Sequence, residues 1–116
     1  LPLQPECHVS LKEYGETLRE LIEATRPGVK GLILATPYYI EPNRRDPMRA
    51  TMDKYGAVVK KLATEYQTVF VDTQAAFDRA LKTYYPATLG WDRVHPNQVG
   101  HMILAKAFLD ALGFAW

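Results

Sequence analysis

The sequence of 116 residues predicts an α/β protein built around a parallel sheet. Two short apolar runs, Val29–Thr36 and Thr68–Asp72, alternate with segments whose apolar residues recur at helical spacing. Nearly continuous apolar runs are typical of strands buried on both faces of a parallel sheet. The order of strand, helix and strand with short joints therefore predicts a right-handed βαβ unit.

The first two helices are predicted from stripes of apolar side chains. Ser10 and Glu13 fit a capping box, in which each side chain satisfies a backbone N–H at a helix start. The helix behind them ends at Pro27–Gly28. Its stripe is Leu11, Tyr14, Leu18, Leu21, Ile22 and Thr25. The stripe of the second helix, which follows a loop from Tyr38 to Pro47, is Met48, Met52, Tyr55, Val59, Leu62 and Tyr66.

Two more helices are predicted in the last part of the chain. The third runs from about Gln74 to Tyr84, and a loop from Tyr85 to His95 leads to a final helix opened by Pro96. That final helix is apolar nearly all round, which predicts deep packing. Because two parallel strands cannot bury each other, we expect the sheet to continue in polypeptide outside this sequence.

Composition excludes several classes of protein. The formal net charge of +1 gives no reason to expect nucleic acid or an acidic membrane as a partner. No stretch approaches the ~20 apolar residues of a membrane-spanning helix. Residues 1–10 do not resemble a signal peptide, and the single cysteine, Cys7, allows no internal disulfide. We therefore expect a cytoplasmic protein.

The strongest local signal is Asp92 followed three residues later by His95, just before a helix. A carboxylate at this spacing can accept a hydrogen bond from the imidazole Nδ1–H and leave Nε2 free as a base. On spacing alone, a turn-capping aspartate beside a packed histidine is the more frequent explanation, because D-x-x-H is a short pattern.

The residues around this pair resemble a known family. Trp91-Asp92-Arg93-Val94-His95-Pro96, with Gly100-His101, is similar to the last sequence block of the SGNH, or GDSL, hydrolases. Three further segments resemble bacterial acetylxylan esterases of that family: Gly31–Glu41, Asp46–Arg49 and Val71–Phe77. The resemblance extends from Ser10 to Trp116.

This resemblance implies a fold and an activity. The fold is the flavodoxin-like three-layer α/β/α domain, of which residues 1–116 form the C-terminal part. The implied activity is hydrolysis of a small ester, and the implied substrate is an acetyl group on a xylan-derived oligosaccharide. Asp92 and His95 supply the acid and base of a Ser-His-Asp triad. No cofactor or metal is expected, and a homo-oligomer is possible.

The nucleophile is missing from the sequence. No G-D-S or G-x-N block occurs, and the only serine, Ser10, is explained as a helix cap. In the family these blocks precede the present segment, so the missing N-terminal half of the domain is expected as a partner. The alternative is a catalytically inactive fragment or association module. A nucleotide-binding domain is disfavoured because no glycine-rich loop follows either strand.

Other candidate residues are weaker. Trp91 could line the acyl or sugar pocket, and packing beside the triad explains it equally well. Asp72 is expected to cap a helix. Tyr38 and Tyr39 are expected to pack at a sheet edge or subunit contact, although either could reach a sugar. Arg44 and Arg45 are expected on a solvated loop.

The remaining candidates give no site. His8, His95 and His101 lack the spacing of zinc ligands. Cys7 is expected to be an incidental thiol. The apolar end, Phe114-Ala115-Trp116, is expected in a subunit contact or in the core.

Overall fold

The computed structural model describes residues 8–114 and confirms an α/β fold with a parallel sheet. Strands β1 (Ile33–Ala35) and β2 (Val69–Val71) pair in parallel, with Leu34 opposite Phe70. The helices are α1 (Leu11–Thr25), α2 (Pro47–Tyr66), α3 (Thr73–Ala80), α4 (Pro86–Leu89) and α5 (Gln98–Ala111), and a 3-10 turn spans Arg26–Gly28. Helix α2 connects the two strands, as predicted for a βαβ unit.

Side-chain caps fix the starts of the long helices. The Ser10 hydroxyl accepts the Glu13 N–H at 3.1 Å, which confirms the predicted start of α1. The capping box is only half formed, because the Glu13 carboxylate accepts the Ser10 hydroxyl at 3.2 Å instead of a backbone N–H. Asp46 caps α2 by accepting the Arg49 N–H at 3.0 Å. Helix α2 ends at Tyr66, because the next residue, Gln67, has a left-handed backbone (φ 55°).

The interior consists of two hydrophobic clusters. The first joins α1 and α2 to the sheet and contains Ile22, Leu34, Val59, Leu62 and Ala63. The second, which we call the site platform, consists of the fully buried Ile40, Phe77 and Leu89. Tyr38, Ile103 and Leu104 are among the residues that pack against it. The site platform thus joins the loop after β1 to α3, α4 and α5.

The strands differ from prediction in length and burial. β1 covers three residues rather than the eight of Val29–Thr36, because only the residues that pair with β2 form a ladder. Leu34 is buried, but Ile33 is 39% exposed, so burial on both faces of β1 is not reached within residues 8–114 and stays a prediction. Within residues 8–114 each strand has one neighbouring strand, which leaves both edges of the sheet open.

The third helix ends earlier than predicted, and a short helix was missed. Helix α3 ends at Ala80 rather than Tyr84, since Thr83 and two tyrosines with low helix propensity precede Pro86. Pro86 then opens the one-turn α4 inside the predicted loop.

The final helix also differs from prediction. It begins after Pro96, because the Asn97 side chain caps it by accepting the Gly100 N–H at 3.0 Å. The predicted deep packing of α5 is not reached within residues 8–114, where Gly100 is its only buried residue and Met102 is exposed. Among the described elements, α5 packs mainly against α3, β2 and α4. No helix between residues 8 and 114 is long and apolar enough to cross a bilayer.

Phe77→Ala is expected to lower the free energy of unfolding by about 3–5 kcal/mol, because it empties the centre of the site platform. The matched control is Phe114→Ala at an exposed position, for which we expect a change within about 0.5 kcal/mol. Urea unfolding measures both. Equal effects of the two substitutions would show that the site platform contributes no special stability.

Candidate active site

The Asp92 carboxylate organises the segment between Trp91 and Pro96. Its Oδ1 accepts the backbone N–H groups of His95 and Val94 at 2.7 and 2.9 Å. Its Oδ2 lies 2.6 Å from Nδ1 of the His95 ring. The same side chain therefore caps the turn and contacts the imidazole, while the packed histidine of the alternative explanation is wrong within residues 8–114, because the His95 side chain is 84% exposed.

The charge state of Asp92 follows from these contacts. Hydrogen bonds from the His95 N–H, the His95 ring and the Val94 N–H hold the pKa of the Asp92 carboxyl well below its usual value. The ionised carboxylate can only accept hydrogen bonds, so it selects the tautomer with the proton on Nδ1. In that tautomer the lone pair on Nε2 is free to accept a proton.

The His95 ring is open to solvent on the side away from Asp92. Its side chain is 84% exposed, and Nδ1 is the atom that contacts the carboxylate. The imidazole is therefore not enclosed by hydrocarbon in the part of the chain that the structure describes. A hydroxyl group brought to this surface would have access to the ring.

The loop that carries Asp92 and His95 is docked onto the loop after β1. The Ile40 N–H donates to the Arg93 carbonyl at 3.0 Å, and the Arg93 guanidinium lies 3.0 Å from the Glu41 carboxylate. The Tyr38 hydroxyl donates to the Val94 carbonyl at 3.3 Å. Burial, together with the charge of Asp92, raises the pKa of Tyr38, which favours the protonated form needed for this bond.

Two glycines permit the close approach of backbone segments beneath the loop. A Cβ at Gly90 would lie 2.7 Å from the His95 carbonyl oxygen and 3.2 Å from the Pro96 Cα. A Cβ at Gly100 would lie 2.5 Å from the Pro96 Cβ and 2.6 Å from the Leu89 carbonyl oxygen. Both glycines are therefore required sterically, and the sequence alone does not show which atoms they approach.

The buried Arg49 connects an ion-pair network to the loop after β1. Arg49 is buried on α2 and donates to both carboxylate oxygens of Asp78 at 2.9 and 2.8 Å and to Asp53 at 2.8 Å. It also donates to the Glu41 carbonyl at 2.8 Å. Burial disfavours the charged guanidinium, but the hydrogen bonds to Asp53 and Asp78 outweigh it and the pKa of Arg49 is raised.

The other candidate site residues lie at different places in the structure. Trp91 is 85% exposed, so packing beside the Asp92–His95 pair is wrong for this side chain within residues 8–114. Asp72 accepts the Ala75 N–H at 2.9 Å, which confirms it as the cap of α3. Tyr38 packs on Phe77 with ring centroids 4.7 Å apart, and the backbone of Tyr39 pairs with the Gln74 side-chain amide.

Arg44 and Arg45 lie exposed on the loop before α2, as expected. The Arg44 guanidinium reaches Asp78 at 3.3 Å. His8 and His101 are exposed, and residues 8–114 contain no group of three or more His, Cys, Asp or Glu that could hold a metal ion. The predictions for Cys7, Ala115 and Trp116 lie outside the described residues.

The Asp92–His95 pair does not line the cavity found between α2 and α3. That cavity of about 260 Å³ is lined by residues that include Arg49, Asp53 and Asp78. The pair lies instead on an open surface of the described chain. The pairing of Glu41 with Arg93 was not predicted from the sequence, because no spacing pattern connects two charged residues so far apart along the chain.

Comparison with known proteins shows the family. Residues 4–103 match the model of the GDSL-like lipase/acylhydrolase family, and the chain belongs to that family. It is 62% identical over 116 residues to an acetylxylan esterase of Geobacillus stearothermophilus, a match that covers all of this chain and 53% of the relative. The chain thus spans about half the length of the curated relative it matches.

Solved structures show the same fold. The crystal structure of Axe2, an acetylxylan esterase from Geobacillus stearothermophilus, matches with a TM-score of 0.96 and 62% identity over 99% of this chain and 52% of Axe2. LAE5, an alpha/beta hydrolase enzyme from the metagenome of Lake Arreo, Spain, matches with a TM-score of 0.94 and 54% identity over 97% of this chain and 51% of its own. Axe2 has also been crystallised as catalytic mutants in which a serine, an aspartate or a histidine is replaced by alanine.

Gly90→Ala is expected to lower the free energy of unfolding by about 1–3 kcal/mol, because the new methyl group would overlap the backbone at His95 and Pro96. Gly31→Ala is the matched control, since no atom lies within 4 Å of a Cβ there. Urea unfolding of both variants checks the steric argument. A Gly90→Ala protein as stable as the Gly31→Ala control would contradict it.

The Asp92 carboxyl is expected to titrate below the ordinary aspartate pKa of about 3.9. Its folded-state pKa is lowered, so its contribution to stability is present above the unfolded value and is lost as the pH falls through the folded value. The carboxyl carbon chemical shift, followed by NMR during acidification, measures this. A midpoint at the ordinary aspartate value would show that the three hydrogen bonds are absent in solution.

Proposed function

We propose that the protein containing this chain hydrolyses carboxylic esters, and that Asp92 and His95 are the acid and base of its Ser-His-Asp triad. The observation that carries the proposal is the 2.6 Å contact between His95 Nδ1 and Asp92 Oδ2, made by a ring whose other side is exposed. This geometry supports proton transfer at Nε2, with the carboxylate stabilising the imidazolium that results.

The proposed reaction has two stages. In the first, Nε2 of His95 takes the proton from a serine hydroxyl while the serine oxygen attacks the ester carbonyl, and the imidazolium then protonates the departing alcohol. In the second, His95 takes a proton from water, which attacks the acyl-enzyme and releases the carboxylic acid. The serine recovers its proton, so His95 ends unchanged.

The nucleophile in this proposal comes from outside residues 1–116. Ser10 is the only serine in the sequence, and its hydroxyl is engaged with the N–H and the carboxylate of Glu13 at the start of α1. The relatives are about twice as long as this chain, and a catalytic mutant of Axe2 replaces a serine. We therefore assign the serine and the oxyanion hole to the half that this chain does not cover.

The Axe2 mutants support the assignment of the acid and base. The aspartate and histidine replaced in them are three positions apart, as are Asp92 and His95, and a tryptophan directly precedes that aspartate, as Trp91 does here. The identity of 62% extends over the whole chain, so the match is not confined to a short motif.

The proposed substrate is an acetyl ester on a xylose-derived oligosaccharide. It is supported by the acetylxylan esterase activity given for the relatives. The indole of Trp91 is exposed next to Asp92 and offers an apolar face for a sugar ring, so it is the candidate substrate contact. Neither residue of the Asp92–His95 pair requires a metal or cofactor for the chemistry described.

His95→Ala is expected to lower kcat toward an activated acetyl ester by a factor on the order of 10⁶, because the proton acceptor is lost. Asp92→Asn is expected to lower it by a factor on the order of 10⁴, because the ring loses its correct tautomer. His101→Ala, at an exposed histidine on α5, is the matched control and should retain activity. The assay uses the full-length protein, or a chimera of this chain with the half of Axe2 that it does not match.

The same assay separates the ester hydrolase from an inactive association module. The complete enzyme should be active, and residues 1–116 alone should be inactive because they lack the nucleophile. Near-normal turnover by His95→Ala would exclude His95 from the mechanism. Inactivity of the complete enzyme itself, in properly folded form, would favour the association module.

A further inference from the structure

We infer that Arg93 and Glu41 are positioning residues for the reaction, acting through the backbone that presents Asp92 to His95. The inference rests on the proposed function, and it concerns two side chains that touch neither the ester nor the reacting atoms. The juxtaposition that carries it is an ion pair between the loop that holds the acid and base and the loop after β1.

The ion pair is partly shielded from water. The Arg93 guanidinium lies 3.0 Å from Oε1 of Glu41, and the Glu41 side chain is only 14% exposed. A pair between fully exposed side chains would contribute little, because solvent screens it and mobile side chains must be ordered. Here one partner is already held in place, so the pair can fix the position of the other.

Both the side chain and the backbone of Glu41 make further hydrogen bonds. Its Oε2 accepts the Asn43 N–H at 2.9 Å, and its carbonyl accepts a bond from Arg49 at 2.8 Å. Arg49 is buried and is itself paired with Asp78. A continuous set of contacts therefore runs from the buried ion pair between α2 and α3 to the Arg93 guanidinium.

The backbone of Arg93 has a conformation that needs support. Its φ of 67° is left-handed, which is unfavourable for a residue with a side chain. Its N–H donates to the Gly90 carbonyl and its carbonyl accepts the Ile40 N–H, each at 3.0 Å. This turn immediately follows Asp92 and brings the next two N–H groups onto the carboxylate.

Placement of the acid therefore depends on the placement of Arg93. If the guanidinium were released from Glu41, the left-handed turn would lose one of its restraints. The Asp92 carboxylate would then spend less time in contact with both N–H groups and with the ring. Since small misplacements of catalytic groups are costly, kcat should fall while the affinity for substrate is preserved.

The test measures kcat and KM of the complete enzyme for an activated acetyl ester in four variants. Glu41→Gln and Arg93→Met each remove the ion pair, and we expect each to lower kcat by on the order of ten-fold with little change in KM. Arg93→Lys keeps the charge and should restore most of kcat. Arg45→Met removes an exposed arginine from the same loop as Glu41 and should behave as wild type.

A second readout does not depend on activity. Amide hydrogen exchange at Val94 and His95 reports the bonds to Asp92, and it should accelerate in Glu41→Gln and Arg93→Met but not in Arg45→Met. The double variant Glu41→Gln/Arg93→Met should show the same kcat and the same amide exchange as either single variant, because both substitutions remove the same interaction.

Four results would overturn the inference. They are wild-type kcat in Arg93→Met, unchanged amide exchange in both ion-pair variants, additive losses in the double variant, and a rise in KM at constant kcat. The last result would make Arg93 a substrate contact instead of a positioning residue. A wild-type enzyme without esterase activity would count against the proposed function alone, and amide exchange would still decide whether the ion pair positions Asp92.

Discussion

Three hydrogen bonds to one carboxylate determine the arrangement of the candidate site. Asp92 accepts the backbone N–H groups of Val94 and His95 on one oxygen and contacts the His95 ring with the other. The same bonds keep the carboxylate ionised, because each stabilises its charged form. The carboxylate that shapes the loop therefore also selects the imidazole tautomer. The same carboxylate therefore serves both the turn and the proposed base.

The rest of the structure serves to hold this loop. The site platform, formed by the fully buried Ile40, Phe77 and Leu89, joins the loop after β1 to three helices. Gly90 allows the backbone to approach His95 closely. Beside it, the buried Arg49 fixes the loop after β1 through a backbone carbonyl. The sheet contributes the starting point of that loop, and within residues 8–114 one face of α5 is exposed and both edges of the sheet are open.

Local patterns predicted the two strands, the four longer helices and the reach of Asp92 to the His95 ring, and non-local packing decided the rest. The Ser10 and Asp72 caps could be predicted because each depends on a partner three residues away. The start of α5 was wrong because proline is only one of several ways to open a helix, and Asn97 supplies a stronger cap. The pairing of Glu41 with Arg93 is set by the tertiary fold, so no sequence spacing could indicate it.

The most direct measurement of the central claim is the ¹⁵N chemical shift of the two ring nitrogens of His95, recorded for the neutral form of the ring. If Asp92 holds the ring as described, Nδ1 carries the proton and Nε2 shows the shift of an unprotonated nitrogen. A ring with its proton on Nε2, or one that averages between both tautomers as a free imidazole does, would contradict the account. In that case the carboxylate would shape the turn without preparing a base.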